Sequence, residues 1–365
     1  MTNEQKNLPE LRFPEFDGEW EEKQLSTILE IGTGKSKVQS NENGKYNILG
    51  STGIIGKSHT YDYEGDFILT ARVGHYAGKL YKHAGKVNIS DNTIYLYNFI
   101  NKNFIYESLN VFKLEKLVFG SGQPLIKASD LKKLKIRVPV SKEQKKIGTF
   151  FSKLDRQIEL EEEKLELLEQ QKRGYMQQIF SQDLRFKDEN GDDYVAWKET
   201  TIKEIAEIKT GSKDTKDARE DGNYNFYVRS PIIHKINSYS YDGEAILTVG
   251  DGVGVGKVFH YVNGKFDYHQ RVYKISDFKN YYGLLLYYYF SKNFLKEARK
   301  YNAKTSVDSV RKDMIANMKV PMPIMEEQQK IGMFLKKLES RIDYQNSKIN
   351  LLNQRKRGFL QKMFV

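Results

Sequence analysis
The stretch Ser141–Phe180 constrains the chain most, because apolar side chains recur along it at steps of four and three: Ile147, Phe151, Leu154, Ile158, Leu165 and Leu168, then Tyr175 and Ile179. That spacing draws one apolar seam along a helix whose other positions are Glu, Lys, Gln and Arg, all good helix formers. Forty residues of helix rise about 60 Å. A rod of that length asks for a second helix to cover its seam, and Ile324–Val365 supplies one. A shift of 184 residues, Ile147 to Ile331, brings Ile331, Leu335, Leu338, Ile342, Ile349, Leu352, Phe359 and Met363 onto the seam. EQKKIGTF at Glu143–Phe150 returns as EQQKIGMF at Glu327–Phe334, and QKRGYMQQIF at Gln171–Phe180 as RKRGFLQKMF at Arg355–Phe364. The breaks in the seam coincide as well, Glu161 with Gln345 and Lys172 with Lys356. A duplication of this kind favours a pair of rods within one chain over a lone amphipathic helix or a homodimeric coiled coil.

The regions before the rods repeat too. Trp20 and Gly34 match Trp197 and Gly211, and YEGDFILT at Tyr63–Thr70 matches YDGEAILT at Tyr241–Thr248. Gly74, Gly78-Lys79 and Tyr95 match Gly252, Gly256-Lys257 and Tyr273. The expected division is a globular domain over 1–140, a rod over 141–180, a second globular domain over 181–323 and a second rod over 324–365. Each globular part reads as mixed strand and helix. Strands are expected at Asp66–Val73, Lys79–Lys82 and Thr93–Tyr97, with counterparts at Glu244–Val249, Lys257–Tyr261 and Arg271–Ile275. Glycine pairs Gly74/Gly78 and Gly252/Gly256 mark tight turns. Helices are expected at Trp20–Glu30, Asn103–Lys116, Thr200–Glu207 and Tyr282–Lys300, the third opened by a capping box from Thr200-Thr201 to Glu204. Strand-like runs Leu134–Val140 and Met318–Ile324 lead into the rods. Connectivity alone allows the rods to pair parallel or antiparallel.

Composition removes whole classes of chemistry. The chain has no cysteine, which excludes disulfides, Cys-based zinc sites, iron–sulfur clusters and thiol nucleophiles. Its six histidines are scattered, and no HExxH occurs. STGIIGKS at Ser51–Ser58 resembles a phosphate loop but has Ser51 where the leading glycine belongs, and RSPIIHKIN at Arg229–Asn237 loses the pattern. GDGVGVG at Gly250–Gly256 reads better as a β-turn than as a dinucleotide loop. Asp66 and Glu244, beside a glycine in each repeat, read as polar turn residues rather than catalytic ones. No apolar run spans a bilayer or follows a basic patch as a signal peptide does, so a cytoplasmic protein is expected. An excess of 59 Lys and Arg over 48 Asp and Glu, formally +11, favours a polyanionic partner.

With both P-x-x-x-EQ-x-x-I segments in view, Pro139–Ile147 and Pro323–Ile331, and the long helices that end in QKRG and RKRG, the chain resembles the specificity (S) subunits of type I restriction–modification systems over essentially its whole length. The resemblance implies an α+β fold: two repeated mixed α/β target recognition domains held apart by a pair of long antiparallel helices, a coiled coil. It implies no catalytic residue and no cofactor or metal in this chain. The implied partners are double-stranded DNA read as a bipartite target, two adenine-N6 methyltransferase (M) subunits carrying S-adenosylmethionine, and two restriction (R) subunits using ATP and magnesium, with no membrane. The alternatives are the recognition module of a type IIG or IIB enzyme and a tether without sequence readout.

DNA recognition needs phosphate anchors and side chains that reach base edges. Candidates in the first domain are Lys35, Lys37, Lys57, Arg72, His75, Tyr76 and Lys79, with Gln123 and Lys127 in a second loop that also holds Ser121 and Gly122. In the second domain they are Lys213, Lys216, Arg229, His234, Lys235, Lys257, His269, Gln270, Arg271 and Arg311. Arg311 corresponds to Lys127; Thr305, Ser306 and Val307 correspond to Ser121, Gly122 and Gln123. Arg72 has Gly250 as its counterpart, and Val73 has Asp251, so the two domains are expected to read different bases. On the rods, Glu161 and Gln345 are candidates for setting register, Gly148 and Gly332 for close approach of a neighbour, and Gly174 and Gly358 for a bend or packing. Lys172-Arg173 and Lys356-Arg357 are read as approaching DNA or capping the helix ends. The twelve seam residues from Ile147 to Leu168 and Ile331 to Leu352 are the candidates for spacer pairing and subunit docking.

Overall fold
The computed structural model describes residues 8–120, 123–301 and 309–364; Ser121, Gly122, Thr305, Ser306 and Val307 lie outside them. The chain forms two units, Met1–Glu163 with Asn346–Val365, and Lys164–Gln345. In the first unit the elements are β1 (Glu21–Gln24), α1 (Leu25–Ile28), β2 (Glu30–Thr33), β3 (Tyr46–Gly50), β4 (Gly53–Ser58), β5 (Tyr63–Ala71), β6 (Leu80–Ile89), β7 (Thr93–Tyr97), α2 (Lys102–Phe112), α3 (Ala128–Lys133), β8 (Lys135–Val138) and the first part of α4 (Ser141–Phe180). The second has β9 (Lys198–Thr201), α5 (Ile202–Ile205), β10 (Glu207–Thr210), β11 (Tyr224–Tyr227), β12 (Ile233–Ile236), β13 (Tyr241–Val249), β14 (Phe259–Tyr268), β15 (Val272–Ser276), α6 (Gly283–Arg299), α7 (Lys312–Ala316), β16 (Lys319–Met322) and most of α8 (Met325–Met363).

Both units build the same sheet, ordered β2-β7-β5-β6-β3-β4 in one and β10-β15-β13-β14-β11-β12 in the other. The pairs β3/β6 and β11/β14 are parallel and the remaining pairs are antiparallel. The central strand β5 is buried from Phe67 to Ala71 because alternate side chains enter two different cores. Ile68 packs with Trp20, Leu96 and Phe104 under the helices. Phe67 and Leu69 pack on the other face with Leu49, Val87 and Ile89. In β13, Ile246 and the pair Ala245/Leu247 divide in the same way. Past β2 the backbone donates from Gly34 to Thr93 O and from Ser36 to Ile89 O, so the sheet curls over that second core.

The two long helices run antiparallel. In the first unit Phe150 meets Phe359 at 5.1 Å between ring centroids, and Lys348 Nζ lies 2.6 Å from Glu161 Oε1. In the second, Lys172 Nζ lies 3.0 Å from Glu339 Oε1, and Tyr175 meets Phe334 at 5.1 Å. Ile147, Phe151, Ile158, Leu168, Ile331, Leu335, Leu338, Ile349 and Leu352 are buried; Leu154, Leu165 and Ile342 are half-buried. Met176 and Gln345, at 9% and 1% exposure, are buried as well. Charge fills the breaks at Glu161, Lys172 and Lys356, while the fourth, Gln345, is a buried amide. Lys172 pairs with Glu339 and its ammonium lies over the Tyr288 ring, while Lys356 bridges Asp155 at 2.6 Å and Glu107 at 3.3 Å. Lys172 and Lys356 are thus turned into the helix packing rather than toward a ligand or a helix terminus. Burial lowers the Lys356 pKa, but hydrogen bonding and charge from Asp155 and Glu107 outweigh it and raise the net value.

The EQ motif has a structural role in both repeats. Buried Glu143 accepts from Arg12 Nε and Nη2, each at 2.7 Å, and buried Glu327 accepts from Arg185 Nε at 3.2 Å and Nη2 at 2.8 Å. Gln144 Nε2 donates to Pro139 O and Gln328 Nε2 to Pro323 O, pinning each strand-to-helix junction. Gly148 and Gly332 do meet a neighbour. A Cβ on Gly148 would lie 2.3 Å from Asn101 Oδ1, the atom that caps α2 by accepting from Phe104 N, and one on Gly332 would lie 2.7 Å from Tyr282 Cε1. Gly174 and Gly358 have nothing within 4 Å of that position, and both helices continue unbroken through them, so packing does not account for them. Gly174→Ala should therefore raise stability by up to about 1 kcal/mol, as a helix-interior glycine gives way to the best helix former. Gly148→Ala should lose stability by a similar amount, the displaced cap outweighing that gain. Thermal melting of the two variants should move in opposite directions.

Several local expectations change. Trp20–Glu30 and Thr200–Glu207 are not single helices but strand, one helical turn and strand, because Glu21–Gln24 pairs with distant β8 and Lys198–Thr201 with β16. Glu204 does accept from Thr201 N at 2.9 Å. Ser51–Ser58 belongs to the β3–β4 hairpin. Asp66 and Glu244 sit within β5 and β13, not in turns: Asp66 holds Lys102, and Glu244 accepts from the Tyr261 hydroxyl.

Candidate nucleic-acid interface
The expected turns at Gly74/Gly78 and Gly252/Gly256 form with positive φ, +85° at both glycines of the first pair and +80° and +66° in the second. They position one end of each sheet. In the first unit Arg72 N donates to Asn92 O, Ile126 N to Arg72 O and Gly74 N to Pro124 O, so three loops meet there. Ser51 Oγ reaches Asn92 O at 3.4 Å and brings in the β3–β4 turn. Arg72, His75, Tyr76, Lys79, Gln123 and Lys127 are exposed around this junction. Lys79 Nζ stands 4.9 Å from the Tyr76 ring centroid and His75 packs edge-on against Tyr76 at 5.3 Å, while Lys127 Nζ lies 4.7 Å from Phe119. Lys35 and Lys37 are exposed on the segment that crosses Thr93 and Ile89. Lys57 pairs with Asn47 at the far end of its hairpin from the turn and does not join the cluster.

In the second unit the corresponding loops converge through side chains. Arg229, after β11, and Arg271, between β14 and β15, both reach Asp251, after β13. Gln270 Nε2 donates to Asp214 Oδ2 at 3.0 Å, and Gln270 N to Lys213 O at 2.8 Å. His269 is buried, with Nδ1 accepting from Arg271 N at 2.9 Å and Nε2 3.7 Å from Asp214. It shapes the turn and is turned away from solvent; burial lowers its pKa, against the pull of Asp214. Lys216 is exposed in the short turn Thr215–Asp217, Lys257 follows the glycine loop, and Arg311 holds the position before α7 that Lys127 holds before α3, neither side chain capping its helix. His234 and Lys235 lie along β12, with Lys235 Nζ donating to Asn225 Oδ1 at 2.9 Å.

Sequence reasoning missed Asp214 as an organiser, and also a repeated apolar feature. Ile54 and Ile55, each 58% exposed, occupy the first hairpin where Ile232 and Ile233, 67% and 45% exposed, occupy the second. The shared offset of 178, Ile54 to Ile232, was the available signal. Among the described residues no group of three or more His, Asp or Glu is placed to hold a metal, and no helix is long and apolar enough to cross a membrane. The described features of this face are cations, amides, the carboxylates Asp214 and Asp251, and exposed apolar tips on loop ends, a set suited to binding.

A family profile described as "Type I restriction modification DNA specificity domain" matches residues 17–170 and 194–354, one match in each repeat. The chain is 26% identical over 171 residues to the type I restriction enzyme EcoDI specificity subunit of Escherichia coli, across 47% of this chain and 37% of that protein. It is 29% identical over 127 residues to the type I restriction enzyme MjaVIII specificity subunit of Methanocaldococcus jannaschii, across 33% of this chain and 28% of that one. The matches therefore span only about a third of these relatives' lengths. The fold is like that of the type I restriction–modification S subunit from M. genitalium, with a TM-score of 0.74 at 17% identity over 98% of this chain and 99% of the other. A profile that matches twice and covers most of the sequence, on two copies of one sheet joined by paired long helices, places this chain in the family of type I restriction–modification specificity subunits.

Proposed function
We propose that the two units read the two halves of a split DNA sequence, each through its loop ends, and that the paired helices position two adenine-N6 methyltransferase subunits, with restriction subunits joining the larger complex. S-adenosylmethionine then belongs to the methyltransferases, and ATP and magnesium to the restriction subunits. The observation that carries this reading is sameness of frame with difference of loop. Equivalent positions hold Ser51 and Arg229, Val73 and Asp251, Asn92 and Gln270, Thr93 and Arg271 on sheets of one topology. Arginine grips guanine with two hydrogen bonds, Asn or Gln grips adenine, and exposed aliphatic tips suit thymine methyl groups. The lysines around these loops supply sequence-independent phosphate contacts.

Exchanging residues 7–135 for a foreign recognition domain, in the complete complex, should change one half of the methylated sequence and leave the other intact. Methylation mapping of host DNA reads this directly. A change in both halves defeats modular reading. Equal affinity for target and random duplexes at matched salt points instead to a tether without readout.

A further inference from the structure
Asp251 joins two arginines that come from separate loops. Its Oδ1 accepts from Arg229 Nη1 at 3.3 Å, and its Oδ2 lies 3.2 Å from Arg271 Nη1. The backbone beneath is pinned: Gly250 N donates to Arg271 O and Val310 N to Gly250 O, both at 2.7 Å. Both arginine side chains are more than half exposed, at 51% and 63%, while Asp251 is 23% exposed. Exposed ion pairs add little stability, so stability does not account for one carboxylate engaging two outward-facing cations. The arrangement does fix orientation. Each guanidinium gives one nitrogen to Asp251 and keeps further N–H donors of its planar fork for a ligand. A fork already held in place loses less side-chain entropy on binding. The first unit has Val73 at this position, which can hold no cation.

We propose that Asp251 is the positioning residue that sets the sequence preference of the second unit, presenting Arg229 and Arg271 together as guanine-reading forks. The inference rests on the loop ends being the DNA-reading face. The test is methylation of a randomised duplex library by the full complex of this chain with its methyltransferase subunits. Asp251→Val should weaken the guanine preference in one half of the target by about tenfold, with the other half and the melting temperature unchanged. Asp251→Asn, which keeps one carbonyl acceptor and similar shape, should fall between Asp251→Val and wild type. Arg229→Ala and Arg271→Ala should relax the same half. If both Asp251 variants keep the wild-type preference while the arginine variants lose it, Asp251 has no positioning role. If the arginine variants also keep it, the loop-end reading of this unit fails as well. Relaxation of both halves together overturns the proposal in favour of a general loss of assembly.

Discussion

Seven residues added to each long helix, after Glu163 in α4 and after Gln345 in α8, should separate the two halves of the methylated sequence by about three base pairs. These are the points at which the helices pass from one unit to the other, close in sequence to the Glu161–Lys348 pair of the first unit. A heptad of helix rises about 10.5 Å, and base pairs repeat about every 3.4 Å. Seven residues also keep the apolar seam on one face. Added to one helix alone, the insert leaves its new seam unmatched and should abolish methylation. Methylation mapping decides it: full activity at the original spacing, with both inserts present, ends the idea that the helices act as a ruler.

Glu327→Ala should lower the melting temperature more than any single surface substitution. Glu327 has 0% exposure and receives Arg185 Nε and Nη2 together with Trp197 Nε1, the last at 2.8 Å. Truncation leaves a guanidinium and an indole N–H without their acceptor, a loss on the order of 3 kcal/mol. Glu143→Ala should cost less, because among the described residues Glu143 receives only the arginine, while Trp20 Nε1 is buried with no acceptor among them. Glu327→Gln should fall between, keeping an acceptor but losing the charge. Calorimetry of the three variants gives the order, and equal losses at Glu143 and Glu327 would remove the tryptophan from the account.

How much of this was legible depended on the range of the interaction responsible. The helix α4 runs Ser141–Phe180, as its spacing predicts, because a seam of that length is written in consecutive turns. The strand Thr93–Tyr97 is likewise legible from its own run of β-favouring residues between asparagines. The four-residue strands β1 and β9 are not: each exists through a partner more than a hundred residues away, and the local sequence looks helical. β6 and β14 run to Ile89 and Tyr268, well past the expected Lys82 and Tyr261, because polar residues and a mid-strand glycine at positive φ, Gly85 and Gly264, interrupt the apolar run. At the candidate interface, charge and the turn glycines pointed to loops that the structure brings together at one end of each sheet. Of the carboxylates that organise them, Asp251 stood out only by its difference from Val73 and Asp214 not at all, since their pairings with Arg229, Arg271 and Gln270 form only when separate loops come together.

The bonds from Arg12 to Glu143 and from Arg185 to Glu327 stitch the entry of each globular repeat to the root of the helix that follows it. A repeat transplanted with its upstream seam ahead of that arginine fits this socket only if it brings its own, since the waiting acid belongs to the recipient. A seam placed after the arginine keeps the recipient's own pair and leaves the socket filled.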